Sequence, residues 1–254
     1  MNEIPLSYTQ MNNNAVSVKN MSGAYIYTPN LVENDTMLRI LNKYGVNSPE
    51  TINSERAVEL LEQFRVLYQN GALPQETISI THREALEQYM AGKSVFFQAG
   101  ANFLNLLKEN SPEVYKVTMV KPQLMGSKGM YDFALMNFVI PVKAKNKDAA
   151  LDFCLFLTNA ENQLKLAKLT NVIATNNEAL ASGFYNNYST LQDQARSISA
   201  KQLRKLLPIR QKKNQKELNS LVNTAVQKIL TSKENKTQEI LDKLALDWAT
   251  LISK

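Results

Sequence analysis

Apolar positions along the chain recur with two periods, and the helical one dominates. Ala57, Leu61, Phe64 and Tyr68 fall on one face, and Gly71 and Pro74 stand where a helix should stop, which predicts a helix over residues 54–70. In Thr81-His82-Arg83-Glu84 the Thr hydroxyl can accept from the third helical N–H while the Glu reaches back, a capping box that predicts a short helix through Leu86, Tyr89 and Met90 to Gly92. Residues 147–157 (KDAALDFCLFL) read as an amphipathic helix, and Thr158 with Glu161 offers a second capping box for a helix through Leu164, Leu166 and Leu169. After a loop around Asn176 and Gly183 the pattern stays helical over 190–207, 216–230 and 238–252, the last carrying Trp248.

Strand-like stretches are fewer. Residues 1–30, rich in Asn, Ser and Thr, read as loop with an edge strand at 24–27. Residues 94–98 (SVFFQ) read as a buried strand running into Gly100, followed by a helix over 102–107 that Ser111-Pro112 closes. Residues 115–120 are expected to be the next strand and 121–130 a loop. The long apolar stretch 133–142, with Val139, Ile140 and Val142, is expected to be a strand entering a second region. No repeat and no Gly/Ser- or Pro-rich linker divides the chain, so any two lobes must be joined by strands or short loops. The pattern describes a helix-rich α/β protein.

Composition adds bounds. With 254 residues, 44% of them hydrophobic and 20% charged, the chain can bury the core of one large or two small domains. The net charge of +6 is spread among acidic residues and names no partner by itself. A single cysteine, Cys154, excludes an internal disulfide, and one Cys with one His makes no zinc set. The apolar run around Cys154 favours a buried, inert thiol, and His82 in its capping tetrapeptide favours a solvated surface role. No stretch approaches the ~18 apolar residues that span a bilayer, and the opening residues lack the basic start and apolar core of a secretory signal. Nucleophile-elbow, phosphate-loop, dinucleotide and zinc-protease motifs are missing, which argues against an enzyme and against a cofactor.

Four phrases carry a resemblance. RAVELLEQFRVLYQNGALP (56–74), QYMAGKSVFFQAG (88–100), NFVIPVKAKNKDAALDFCLFLTNAENQ (137–163) and LNSLVNTAVQKILTSKENKTQEILDKLALDW (218–248) are similar to segments of the family 1 extracellular solute-binding proteins, the maltose-type receptors of ABC importers. The third phrase is the strongest, with Ile140-Pro141, Lys145-Asn146-Lys147, Ala149-Ala150 and Phe153 in register. Two departures bear on ligand contacts: Ala134 and Leu135 stand where the family has a Gly-Gly pair, and Gly100-Ala101-Asn102 stands for Gly-Pro-Trp.

The resemblance implies an α/β, bilobed periplasmic-binding-protein-like fold of type II, helix-rich, with the second lobe nearly complete and the first partial. Residues 1–134 and 184–254 are expected in lobe 2 and residues 135–183 in lobe 1, the family's earlier part being absent. It further implies a non-catalytic receptor that holds a sugar, oligosaccharide or polyol between its lobes and delivers it to membrane permease subunits, outside the cytoplasmic membrane. Strand-end loops supply ligands in open α/β sheets, so Gly100, Ala101, Asn102 and Phe103 are expected near the solute, as are Tyr131, Asp132, Met136 and Asn137 at a lobe crossover, as contacts or hinge. Structural readings compete: Asn102 can cap the next helix, Phe103 can be core, and Asp132 and Asn137 can be turn residues.

Two other readings stay open. Lys201, Arg204, Lys205, Arg210, Lys212, Lys213 and Lys216 around Pro208 could form a basic helical face for nucleic acid, although no aromatic residues interleave them. A truncated or split product would bind poorly and leave a strand near 138–142 without neighbours, an edge that invites self-association.

Overall fold

The computed structural model describes residues 4–133, 135–206 and 214–253. In chain order the elements are α1 (Tyr8–Ser22), β1 (Tyr25–Tyr27), α2 (Thr36–Lys43), α3 (Glu55–Gln69), α4 (His82–Met90), β2 (Ser94–Phe96), α5 (Phe103–Asn110), α6 (Pro112–Val117), α7 (Lys147–Thr158), α8 (Ala160–Thr170), α9 (Asn177–Leu180), α10 (Leu191–Gln202), α11 (Gln215–Thr231) and α12 (Thr237–Ser253). They form two compact units. Unit 1 holds Met1–Gln98, Gln123–Asp132 and Leu207–Lys254; unit 2 holds Ala99–Pro122 and Phe133–Leu206. The chain thus passes between units four times, whereas the sequence suggested divisions only at 134/135 and 183/184.

The core of unit 1 centres on α3, α11 and α12. On α3, Ala57, Leu60, Leu61, Phe64, Leu67 and Tyr68 are buried at helical spacing. The helix packs against α11 and α12, from which Val222, Val226, Ile229, Leu230, Leu244 and Trp248 join the same core. Each such side chain contributes roughly 1.5–3 kcal/mol of burial. β1 and β2 pair in parallel, Tyr25 with Ser94 and Tyr27 with Phe96, and this is the only sheet among the described residues.

Three expectations for unit 1 change. Residues 8–22 are helix α1, not loop: Tyr8, Met11, Asn12 and Ala15 turn inward, Ser7 accepts from the Gln10 N–H, and Gly23 closes the helix at φ 72°. β2 is not a buried strand, since Val95 is exposed while Ser94 is buried. His82 is not solvated but half-buried, its ring 4.9 Å from that of Phe97. The capping box at Thr81 and Glu84 forms as expected.

Unit 2 is made of α5–α10, and its buried apolar cluster is small: Ala167, Ala174, Ala179 and Tyr185, with Leu164, Ile173 and Phe184 partly buried against them. Residues 115–120 are not a strand. Pro112, whose missing N–H costs nothing at a first helical turn, starts α6, and Lys116 pairs with Glu113 along it. The next helix junction also differs, because Asn159 caps α8 by accepting from Asn162 N–H, while the Thr158 hydroxyl donates back to Cys154 O within α7. The expected loop at 176–183 is short helix α9 and a 3₁₀ turn at Gly183–Asn186.

The expected strand over 133–142 has no ladder among its described residues; Ala134 lies outside them. Met136, Val139 and Val142 are each more than 80% exposed, so a strand-forming sequence has no pairing partner among the described residues. On α7 no described residue is buried, and Cys154 is half-buried instead of buried. Of the basic cluster, Pro208, Arg210, Lys212 and Lys213 lie outside the described residues.

Candidate functional site

Parallel pairing of β1 and β2 brings their C-terminal ends, with Thr28 and Phe97-Gln98, to one edge of unit 1. Gln98 accepts a hydrogen bond from the Tyr8 hydroxyl (3.0 Å), and the Tyr27 hydroxyl donates to Asn12 Oδ1 (2.9 Å). Burial pushes both phenols far above their usual range, and for Tyr8 the charge of Asp132 adds to it. Both hydroxyls are held neutral as hydrogen-bond donors. Beside them Phe97 stacks near Tyr89 (6.1 Å between ring centroids) and His82, while the backbone N–H of His82 donates to Glu33 Oε2 (2.7 Å).

Residues 123–132 form a separate fixture of unit 1. Lys43 Nζ lies 2.6 Å from Asp132 Oδ1 and donates to Gln123 Oε1 and Leu124 O, both at 2.9 Å. Arg39 Nη1 reaches Asp132 Oδ2 at 3.1 Å. Gln123 in turn accepts from the Asp132 N–H and donates to its carbonyl, both at 3.0 Å. Burial draws the Lys43 ammonium down, against the opposing pull of Asp132. Gly126 permits the close approach, since a Cβ there would collide with the Lys43 carbonyl.

In unit 2 the residues after β2 rest on a polar network. Asn171, at φ 61°, donates from Nδ2 to Ala101 O (3.2 Å) and accepts from Arg196 Nη1 (3.1 Å). The Arg196 guanidinium lies 3.6 Å from the Phe184 ring centroid, donates to Phe184 O (3.1 Å) and pairs with Asp193. Arg196 is thereby buried with its charge matched, as a buried guanidinium requires.

The eight residues expected at the site distribute unevenly. Gly100, Ala101, Asn102 and Phe103 lead into α5; Asn102 occupies the N-cap position with helical dihedrals and its amide makes no capping bond, leaving it exposed. Met136 and Asn137 are exposed, Phe103 and Tyr131 are half-buried, and Asp132 is buried with both carboxylate oxygens engaged. Tyr131 and Asp132 belong to unit 1 and the other six to unit 2. Sequence reasoning passed over Gln98, Tyr8, Phe97 and the Asn171–Arg196 support. Phe97 and Gln98 lay inside a recognised strand phrase, whereas Asn171 and Arg196 gave no local signal. Among the described residues no group of three His, Cys, Asp or Glu could hold a metal ion, and no helix is long and apolar enough to cross a membrane. Amides, phenols and ring faces of this kind can donate to, accept from and stack against a hydroxylated solute.

Comparison with solved structures places the fold. The whole chain matches 68% of a protein from Synechococcus sp. MITs9220 described as a periplasmic oligosaccharide-binding protein, with a TM-score of 0.90 at 24% identity. Maltose-bound MalE3 of T. maritima matches over 98% of this chain and 66% of its own, with a TM-score of 0.72 at 18% identity. The maltose-binding periplasmic protein MalE of Listeria monocytogenes, solved with maltose, matches over 98% and 68%, with a TM-score of 0.69 at 16% identity. The chain therefore spans about two thirds of the length of the proteins it matches. No curated protein matches it. The profile of the bacterial extracellular solute-binding proteins fits residues 5–193, and the chain belongs to that family.

Proposed function

We propose that this chain is a solute-receiving component of an ABC-type importer and takes a sugar, oligosaccharide or polyol. The observation that carries the reading is the family match over residues 5–193. The ligand class follows from the maltose and oligosaccharide proteins that share its fold. The role is capture and delivery to a permease outside the cytoplasmic membrane, without catalysis, and nucleic acid is not a partner. Asn102, Asn137, Phe103 and Tyr131 supply amides and rings for a hydroxylated ligand, and Gly100 and Ala101 let its edge approach backbone. Met136 offers apolar contact, and Asp132 acts at the hinge through its ion pairs. Unit 1 corresponds to the family's second lobe and unit 2 to the part of its first lobe that this chain carries.

Exposed apolar surface on unit 2 favours a second reading, in which this chain by itself binds sugar weakly. Calorimetry against maltose, maltotriose, maltotetraose and a set of polyols tests both. Saturable binding that weakens in Asn102→Ala is the expected result. Tight binding by this chain alone removes the second reading, and no heat with any sugar or polyol removes the first.

A further inference from the structure

The stretch expected to meet the solute, Gly100–Phe103, opens onto α5, and little in α5 itself fixes its position. The helix has eight residues, and on it only Leu107 is buried among the described residues. Isolated helices shorter than about 12–15 residues are marginal in water, so the first turn depends on what holds it from outside. Asn102 does not hold it, since at the N-cap position it makes no capping bond and stays exposed. The holding falls on the Ala101 carbonyl, which accepts from the Leu104 N–H (3.2 Å) within the turn and from Asn171 Nδ2 (3.2 Å) outside it.

The identity of residue 171 is explained by its side chain. Asn171 ends α8 at φ 61°, a left-handed position that glycine fills most readily and asparagine next. Glycine would satisfy the backbone; the buried amide adds a donor to Ala101 O and an acceptor for Arg196 Nη1 (3.1 Å). Arg196, on α10, is itself held in three further ways: it donates to Phe184 O (3.1 Å), pairs with Asp193 and lies over the Phe184 ring. A planar guanidinium fixed in this manner orients the amide it meets, as a lysine ammonium cannot. A buried ion pair is a poor source of stability, and the apolar core of unit 2 is small, so what the pair supplies is fixed geometry. α10 adds a second link, because Gln192 accepts from the Tyr115 hydroxyl on α6 (2.7 Å) and donates to Asn105 on α5 (3.5 Å).

We propose that Asn171 and Arg196 are positioning residues for solute binding: through Ala101 they hold the first turn of α5 so that Asn102 meets a hydroxylated ligand in one orientation. Neither touches the solute. Arg196 orients the Asn171 amide, and Asn171 fixes the turn. The inference rests on the receptor reading given above and deepens it.

The test uses the full chain and two readouts, amide relaxation by NMR without sugar and calorimetry against maltose, maltotriose, maltotetraose and the polyols. Asn171→Gly keeps the left-handed backbone and deletes the amide; Asn171→Asp keeps an acceptor for Arg196 and removes the donor to Ala101. In both, the order parameters of residues 101–104 should fall from about 0.85 to below about 0.6, while those of α8 and the helical circular dichroism stay as in the parent. Affinity for sugar should drop about tenfold or more. That drop should vanish when Asn102→Ala is already present, because a turn that presents no amide has no orientation to lose. Arg196→Lys, which keeps the charge and loses the fork, should act in the same direction. Unchanged order at 101–104 would overturn the proposal, as would lost order with unchanged affinity, or losses that simply add to that of Asn102→Ala, the result of a merely structural role. A parent that binds neither sugar nor polyol sinks the receptor reading, and the order parameters then support or overturn the positioning on their own.

Discussion

Lys43 Nζ and Asp132 Oδ1 stand 2.6 Å apart with both side chains nearly closed to solvent. Lys43 is the last residue of α2, and Asp132 is the last residue of unit 1 before the chain enters unit 2 at Phe133. The pair, with Gln123, fixes the segment 123–132 to α2 at the point where the chain leaves.

Removing one partner should cost far more than removing both. Asp132→Ala leaves a buried ammonium uncompensated and is expected to destabilise unit 1 by about 3–5 kcal/mol. Lys43→Met/Asp132→Leu, which replaces the pair with apolar groups, should recover most of that loss. Urea unfolding followed through Trp248, the one tryptophan and a buried member of the unit 1 core, reads both values. Equal loss in the single and double variants would refute the pairing.

His82 gives the fold a pH dependence with a definite sign. Burial lowers its imidazole pKa from the usual 6.5, and Glu33 only partly opposes the shift. A depressed folded pKa means that the unfolded chain takes the proton first as pH falls. The stability His82 supports is complete above about pH 6.5 and declines as pH drops through the folded value. As the protein has a single histidine, its ring protons give an uncrowded NMR titration, expected below 6.5. His82→Gln should flatten the stability profile below about pH 6.5; an unchanged slope would place its origin elsewhere.

What could be read from the sequence depended on whether the cause was local. The α3 stripe and the Thr81–Glu84 box specify themselves within a few residues, and both form. α1 has the right spacing too, but Asn12 occupies one of its inward positions, and the partner of its Oδ1 is the distant Tyr27 hydroxyl. For α6, residues 115–120 read as a strand, while Pro112 at the first turn decided for helix. Residues 135–142 carry strand propensity, yet a strand is a relation between segments, and no second segment pairs with them among the described residues. At the candidate site the strand-end position of Gly100–Phe103 was legible from local punctuation. The grip of Lys43 and Arg39 on Asp132, and of Asn171 and Arg196 on Ala101 and Phe184, joins residues far apart in sequence and became visible only in three dimensions.

The two units should also differ in how readily they open. Hydrogen-exchange protection follows buried apolar contact, and global stability is reached only in elements that share a large core. α3, α11 and α12 share one that includes Phe64, Ile229, Leu230 and Trp248, whereas α7 contributes no buried residue among those described and α8 contributes Ala167. Native-state exchange at neutral pH should therefore give the slowest amides in α3, α11 and α12, with α7 and the start of α8 faster by about two orders of magnitude or more, the ratio that a difference of ~2.7 kcal/mol in opening free energy produces. Phe64→Ala, expected to cost about 3–5 kcal/mol, should speed the slow set and leave α7 unchanged. If α7 exchanged as slowly as α3 in the monomeric protein, the apolar side chains on its surface would have to be covered in solution, and the view of unit 2 as an open face would be wrong.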